Sequence, residues 1–220
     1  MVLLKLPTLA AVSLLLWRGA SQQIGRIPEV HPTLTTYECT KAGGCVAQNT
    51  SVVLDVELRQ ARAVNGTGVC KEWGLGPLNT TLCPDSITCA RNCALEGANY
   101  TQWGVQTSGD EMVLKMYVDG VAASPRVYLL DEAGKNYEDF RLMNAEFSFD
   151  TDASKLPCGM CGALYLSEME MSGGRSDLNP AGASMGTGYC DAQCSTEFTW
   201  VNGIVSFHHN PFDRVRPDTH

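Results

Sequence analysis

Two glutamates, Glu168 and Glu170, stand one residue apart in "ALYLSEMEMSGG". Paired carboxylates are the working groups of glycoside hydrolysis, and a retaining glycosidase holds its nucleophile and its acid/base about 5–5.5 Å apart. Residues i and i+2 of a strand share a face, about 6.5 Å apart at Cα. The spacing therefore permits an acid pair, and it equally suits a solvated strand face. Other groups offer weaker chemistry. Cys158-x-x-Cys161 and Cys190-x-x-x-Cys194 could give zinc four thiolates, but the pairs stand further apart than in a zinc ribbon. No βαβ pattern surrounds Cys158-Gly159-Met160-Cys161 to make it a thioredoxin-type centre. His208, His209, Asp213 and His220 lie in "FHHNPFDRVRPDTH", a polar, Pro-interrupted run without periodicity that reads as solvated tail rather than metal site. There is no Gly-x-Ser-x-Gly, phosphate loop or zincin helix, and no metal or cofactor is expected.

The elements that must position these groups read as strands. Segments rich in β-branched and aromatic residues recur between Gly, Pro, Asn and Asp, at 51–56, 112–118, 126–130, 146–152 and 163–171. In "AEFSFDTD" the alternation of Phe147 and Phe149 with polar residues predicts a half-buried strand. Such spacing suggests an all-β sandwich or jelly roll. One short helix is expected in "PDSITCARNCALEG", capped by Asp85 or Ser86 and ended by Gly97. Cys89 and Cys93 would share one face of it, so each bonds a cysteine outside the helix, with Cys83 and Cys70 the nearest candidates. Cys39 and Cys45 flank "TKAGG" and suit a small loop closure.

Composition bounds the setting. "MVLLKLPTLAAVSLLLWRGAS" has an early lysine, an apolar run too short to span a membrane and small residues at its end. It reads as a secretory signal over residues 1–21, cleaved after Ser21. Ten cysteines in an exported chain of 220 residues imply disulfides rather than redox thiols. Acceptor sequons at Asn49, Asn65, Asn79 and Asn99 fit export and mark surface loops. A formal net charge of −8 speaks against nucleic-acid and anionic-membrane partners.

Longer motifs carry a resemblance. "QQIGRIPEVHPTLTTYECTKAGGCVAQNTSVVLD", "TTLCPDSITCARNCALEGANY", "VYLLD", "LPCGMCGALYLSEM" and "GTGYCDAQC" are similar, in order, to fungal cellulases of glycoside hydrolase family 7, the endoglucanase branch above all. The resemblance covers residues 22–203, about the first half of that family's catalytic domain. It implies a β-jelly roll with a cellulose cleft on its concave face, and a secreted, monomeric endo-β-1,4-glucanase that hydrolyses cellulose or another β-1,4-glucan with retention. It implies the pairs Cys39–Cys45, Cys70–Cys93 and Cys83–Cys89. It also implies that Cys158, Cys190 and Cys194 bond cysteines further downstream, which leaves them and Cys161 without family partners here.

For the site, the resemblance implies that Arg59 hydrogen-bonds a glucose unit, that Tyr165 lines the cleft, and that Tyr189, Asp191 and Gln193 lie beside the scissile bond. Leu58 and Gln60 replace the tryptophans that flank the family arginine, and Cys161 replaces a cleft asparagine. Parity puts Ala163, Tyr165, Ser167 and Met169 on one strand face and Leu164, Leu166, Glu168 and Glu170 on the other, so both glutamates should turn away from glucan. The family's catalytic carboxylates lie in a Glu-x-Asp-x-x-Glu strand after adjacent cysteines, and this sequence contains neither motif. The chain is therefore expected to be inactive, a non-catalytic glucan-binding fragment being the alternative. Residues 204–220 read as a divergent tail, or as intron or shifted frame translated into protein.

Overall fold

The computed structural model describes residues 23–74 and 76–190, and the strand backbone of 200–201 and 204–205. The expected signal segment, Asp191, Gln193, Cys194 and the histidine-bearing tail lie outside the described residues. Regular structure there is almost all β, in short strands joined by turns, with one seven-residue helix and two 3-10 turns.

The core is organised by "SVVL". The strand Ser51–Leu54 is buried throughout, as a continuous apolar run covered on both faces should be. It pairs antiparallel with Val127–Leu130, Leu54 opposite Val127 and Ser51 opposite Leu130. Alternation sends Val52 and Leu54 into one cluster with Tyr100 and Val105, and Val53 into another with Leu130, Tyr137 and Ala183. Each such side chain contributes about 1.5–3 kcal/mol on burial.

A four-stranded sheet holds, in spatial order, Gln23–Ile24, Cys93–Leu95, Ala61–Ala63 and Val69–Lys71. The first pair is parallel and the others antiparallel. Behind it lies the helix Ser86–Asn92, its Asp85 cap accepting from the Thr88 N–H at 2.8 Å. The helix stops well before Gly97, because Cys93 has already turned into the sheet. Cys70–Cys93 and Cys83–Cys89 join helix, sheet and preceding loop, while Cys39–Cys45 crosses the hairpin Thr36–Thr40/Gly44–Gln48.

Gly186 shows how tightly the C-terminal part is threaded. Its φ is +72°, and a Cβ there would lie 2.1 Å from the Leu54 carbonyl oxygen. The Val56 N–H donates to the Gly186 carbonyl at 3.1 Å, which explains the close approach. Asn179, fully buried, ties the same stretch together by donating to the Gly173 carbonyl and the Thr187 hydroxyl at 3.1 and 2.9 Å.

Two expected strands are corrected. Residues 146–152 and 163–170 belong to no strand, and their side chains are mostly exposed. A strand's backbone bonds come from its neighbours, and neither segment has a pairing partner among the described residues. Phe147 and Phe149 do stay together, 5.8 Å between ring centroids, but Phe149 is 53 % exposed. The expected strand 112–118 is two, Glu111–Leu114 and Tyr117–Val118, each the arm of a different hairpin.

Candidate functional site

The strand register sets Asp55 beside Arg126, whose carbonyl accepts from the Asp55 N–H at 3.0 Å. Asp55 caps the 3-10 turn Val56–Leu58, one oxygen accepting from the Glu57 N–H at 2.6 Å. Its other oxygen accepts from Arg126 Nε at 2.8 Å and from the Tyr128 hydroxyl. Arg126 directly precedes the strand Val127–Leu130 and stands two residues before Tyr128, and both side chains reach the same carboxylate. The guanidinium then lies 4.5 Å above the Tyr189 ring, a cation–π contact. Tyr189 stacks on Tyr128 at 5.6 Å, and Tyr137 meets Tyr128 edge-on at 5.4 Å. Burial and the negative Asp55 push the Tyr128 hydroxyl far above its ordinary range, so it stays a donor. Burial lowers the Arg126 pKa, but the Asp55 charge outweighs it and keeps the guanidinium fully cationic. Asp55 is 2 % exposed and the Arg126 side chain 29 %, so a fixed cation reaches the surface from a buried anchor.

A second network surrounds Arg59, which is itself fully buried. Its guanidinium forks onto Glu29 at 2.7 and 2.8 Å and donates to the Leu54 carbonyl at 3.1 and 3.2 Å. Glu29 also accepts from the Ala98 N–H at 2.8 Å and from the Tyr100 hydroxyl. Burial pushes the Glu29 carboxyl upward, but Arg59 and these donors outweigh it and hold the pKa below the ordinary value of 4.5. Arg59 is 0 % exposed. Here it is a structural ion pair, which corrects its expected place on a sugar-facing surface. The reason is Glu29, thirty residues earlier and connected to it by no local pattern. Leu58 packs into the cluster of Val52 and Leu54. Gln60 is buried and donates to Glu72 at 2.9 Å. Neither offers a stacking platform.

Tyr165 is 60 % exposed and free to meet a ligand, whereas Tyr189 is 7 % exposed and packs inside the aromatic stack. Tyr189 thus supports Arg126 rather than presenting its own ring. The segment carrying Tyr165 is anchored by Met169, which packs against the cluster containing Tyr128 and Tyr137, and by the Tyr137 N–H donating to Met171 at 2.8 Å. Glu168 and Glu170 flank Met169 and are exposed. Glu170 accepts from the Ser172 hydroxyl in a local turn. The strand parity expected over 163–170 is not expressed: every residue there is exposed on both sides except Met169, which is half-buried.

A cavity of about 500 Å³ beside the hairpin Val105–Ser108/Glu111–Leu114 has one carboxylate in its lining, Glu111. It holds no acid pair. Cys70, Cys83 and Cys93 bring their sulfurs within 4.8 Å of one another, but all three are in disulfides and have no thiolate to offer a metal. Cys190 is also disulfide-bonded, its partner outside the described residues. Cys190, expected to lack its family partner here, is thus bonded all the same, which removes it from any four-thiolate site. Cys158 and Cys161 are free and exposed. The four sequon asparagines are exposed. Among the described residues no helix is long and apolar enough to cross a membrane. Sequence reasoning missed Asp55, Arg126 and Tyr128. The signal was there in the same-face pair of "RVYLL", while its carboxylate partner depended on register.

Comparison with known proteins places the chain. The family model "Glycosyl hydrolase family 7" matches residues 24–214, past Gly203 where the motif resemblance ends. The "Probable endo-beta-1,4-glucanase celB" of Aspergillus clavatus is 60% identical over 190 residues, covering 84% of this chain and 44% of that protein. "Endoglucanase EG-1" of Hypocrea jecorina is 47% identical over 213 residues, covering 94% and 45%. Among solved structures, the native Humicola insolens endocellulase EGI superposes with a TM-score of 0.75 at 47% identity, over 84% of this chain and 47% of that one. An endoglucanase I complexed with cellobiose gives 0.74 at 46% identity, over 84% and 47%. The chain spans about half the length of the curated relatives it matches. Its strands are accordingly part of that family's β-jelly-roll sandwich, and the chain belongs to glycosyl hydrolase family 7.

Proposed function

We propose that this chain is the N-terminal part of the catalytic domain of a secreted endo-β-1,4-glucanase. On this reading it supplies one wall of a cellulose-binding cleft and does not itself carry the carboxylates that cut the chain. The observation behind it is similarity to named endoglucanases over 84% to 94% of this chain. The sequence, meanwhile, lacks any Glu-x-Asp-x-x-Glu. Geometry supports a binding role. Arg126 is held by Asp55 and levelled by Tyr189, so its guanidinium is pre-oriented to donate to sugar hydroxyls. Tyr165 offers an exposed ring to the apolar face of a glucose unit. Asp191 and Gln193 are proposed to contact glucan beside Tyr189, while Arg59 acts behind the surface by fixing the Leu54 carbonyl and Glu29. The retaining reaction needs two carboxyl groups and water, with no cofactor. The leader-like residues 1–21 and the sequons at Asn49, Asn65, Asn79 and Asn99 support export and glycosylation.

The test is retardation of the full chain on gels containing soluble cellulose derivative. Binding should be measurable but weak, because Leu58 and Gln60 give no stacking platform. Arg126→Ala and Tyr165→Ala should each reduce it several-fold. Retardation unchanged by both substitutions would sink this placement of the cleft wall.

A further inference from the structure

Cys158 and Cys161 are the free cysteines among the described residues, and both are exposed. The other cysteines there are all oxidised. The stretch holding the two thiols is a tight reversal. Met160 N–H donates to the Pro157 carbonyl at 3.1 Å, and Gly159 has φ +83°, the conformation the third residue of a type II turn requires. A Cβ on Gly162 would lie 2.9 Å from Leu156 Cδ1. The Leu156 side chain therefore lies against Gly162 and closes a small loop that contains both cysteines.

We propose that Cys158 and Cys161 bond to each other, a pairing that the family resemblance does not imply, since it sends Cys158 downstream and has asparagine in place of Cys161. A disulfide needs its Cα atoms about 4.4–6.8 Å apart; an extended Cys-x-x-Cys exceeds that separation, whereas here the chain reverses between Pro157 and Met160, a turn that overlaps the span separating the two cysteines. Closing so short a loop costs little entropy, so the neighbouring thiol outcompetes distant partners. With oxidised glutathione as oxidant, the Cys158 thiolate attacks one glutathione sulfur and expels glutathione thiolate. The Cys161 thiolate then attacks Cys158 Sγ of the mixed disulfide and expels the second glutathione. Two protein thiols lose two protons and two electrons, and one glutathione disulfide becomes two thiols. The resulting ring ends immediately before the segment that carries Tyr165. The inference is independent of glucan binding, being read from thiol state alone.

The test uses the full chain equilibrated in a mixture of reduced and oxidised glutathione, acid-quenched, alkylated with iodoacetamide and cut with trypsin after Lys155 and Arg175. The peptide 156–175 should escape alkylation and weigh two hydrogens less than its dithiol. In Cys161→Ser no thiol remains to resolve the mixed disulfide, so Cys158 should carry either one glutathione or one alkyl group, while the Cys83–Cys89 peptide stays oxidised, which shows that the fold is kept. Gly159→Ala strains the turn and should raise the oxidised glutathione needed about tenfold. The pairing is overturned if wild-type 156–175 carries two alkyl groups while Cys83–Cys89 is oxidised. It is equally overturned if that peptide is cross-linked to another, or if Gly159→Ala oxidises as readily as the wild type.

Discussion

At the scale of single residues, the Glu29–Arg59 pair is the most consequential contact. Removing one partner of a buried ion pair leaves an uncompensated charge, so Glu29→Gln should lower stability by about 3 kcal/mol. Replacing both, as in Glu29→Leu/Arg59→Met, should cost less than either single change. Urea denaturation of the three variants checks both statements. The pH dependence follows from the depressed Glu29 pKa. A carboxyl lowered on folding contributes its full stability above the unfolded value of 4.5 and loses it as pH falls through the folded value. Wild-type stability should therefore fall below about pH 5, and the Glu29→Gln variant should show a shallower acid slope. Arg59 was legible as a residue of note from its motif, but its environment was not. Nothing within ten residues of it announces Glu29, Leu54's carbonyl lies behind it, and its burial follows from tertiary packing alone. Asp55 and Arg126 show the same limit, since the strand pattern orients each while only register joins them.

At the scale of elements, legibility follows the source of the hydrogen bonds. The helix Ser86–Asn92 bonds within itself and carries its own cap, so "PDSIT" revealed its start. The strands Ser51–Leu54 and Val127–Leu130 were visible as apolar runs because both are packed into the core. Residues 146–152 and 163–170 carry strand-like sequence yet pair with nothing described, because alternation states a preference and a neighbour must satisfy it. Gly186 gives the sharpest test at this scale. Alanine would combine a left-handed φ with a Cβ in collision with the Leu54 carbonyl, and should cost about 3 kcal/mol or more. Circular-dichroism melting of Gly186→Ala should show this, while Gly109→Ala, where a Cβ meets open space, should lose only the smaller backbone cost.

At the scale of the whole molecule, two disulfides converge behind one sheet, while an apolar stretch lies open elsewhere. Cys70–Cys93 closes a loop across 23 residues, and Cys70→Ala/Cys93→Ala should cost about 3 kcal/mol, measurable as a lower urea midpoint. Leu142, Met143, Phe149, Leu164, Tyr165 and Leu166 are each at least 40 % exposed. With so many large apolar side chains open to solvent, the full chain should bind a fluorescent apolar dye in its native state. The central claim is that this family member holds a cleft wall without the cutting carboxylates. The direct measurement is release of reducing ends from a soluble cellulose derivative by the purified full chain. No turnover above a buffer control is expected. Turnover abolished in Glu168→Gln/Glu170→Gln would contradict the account and make "SEMEM" an acid pair after all.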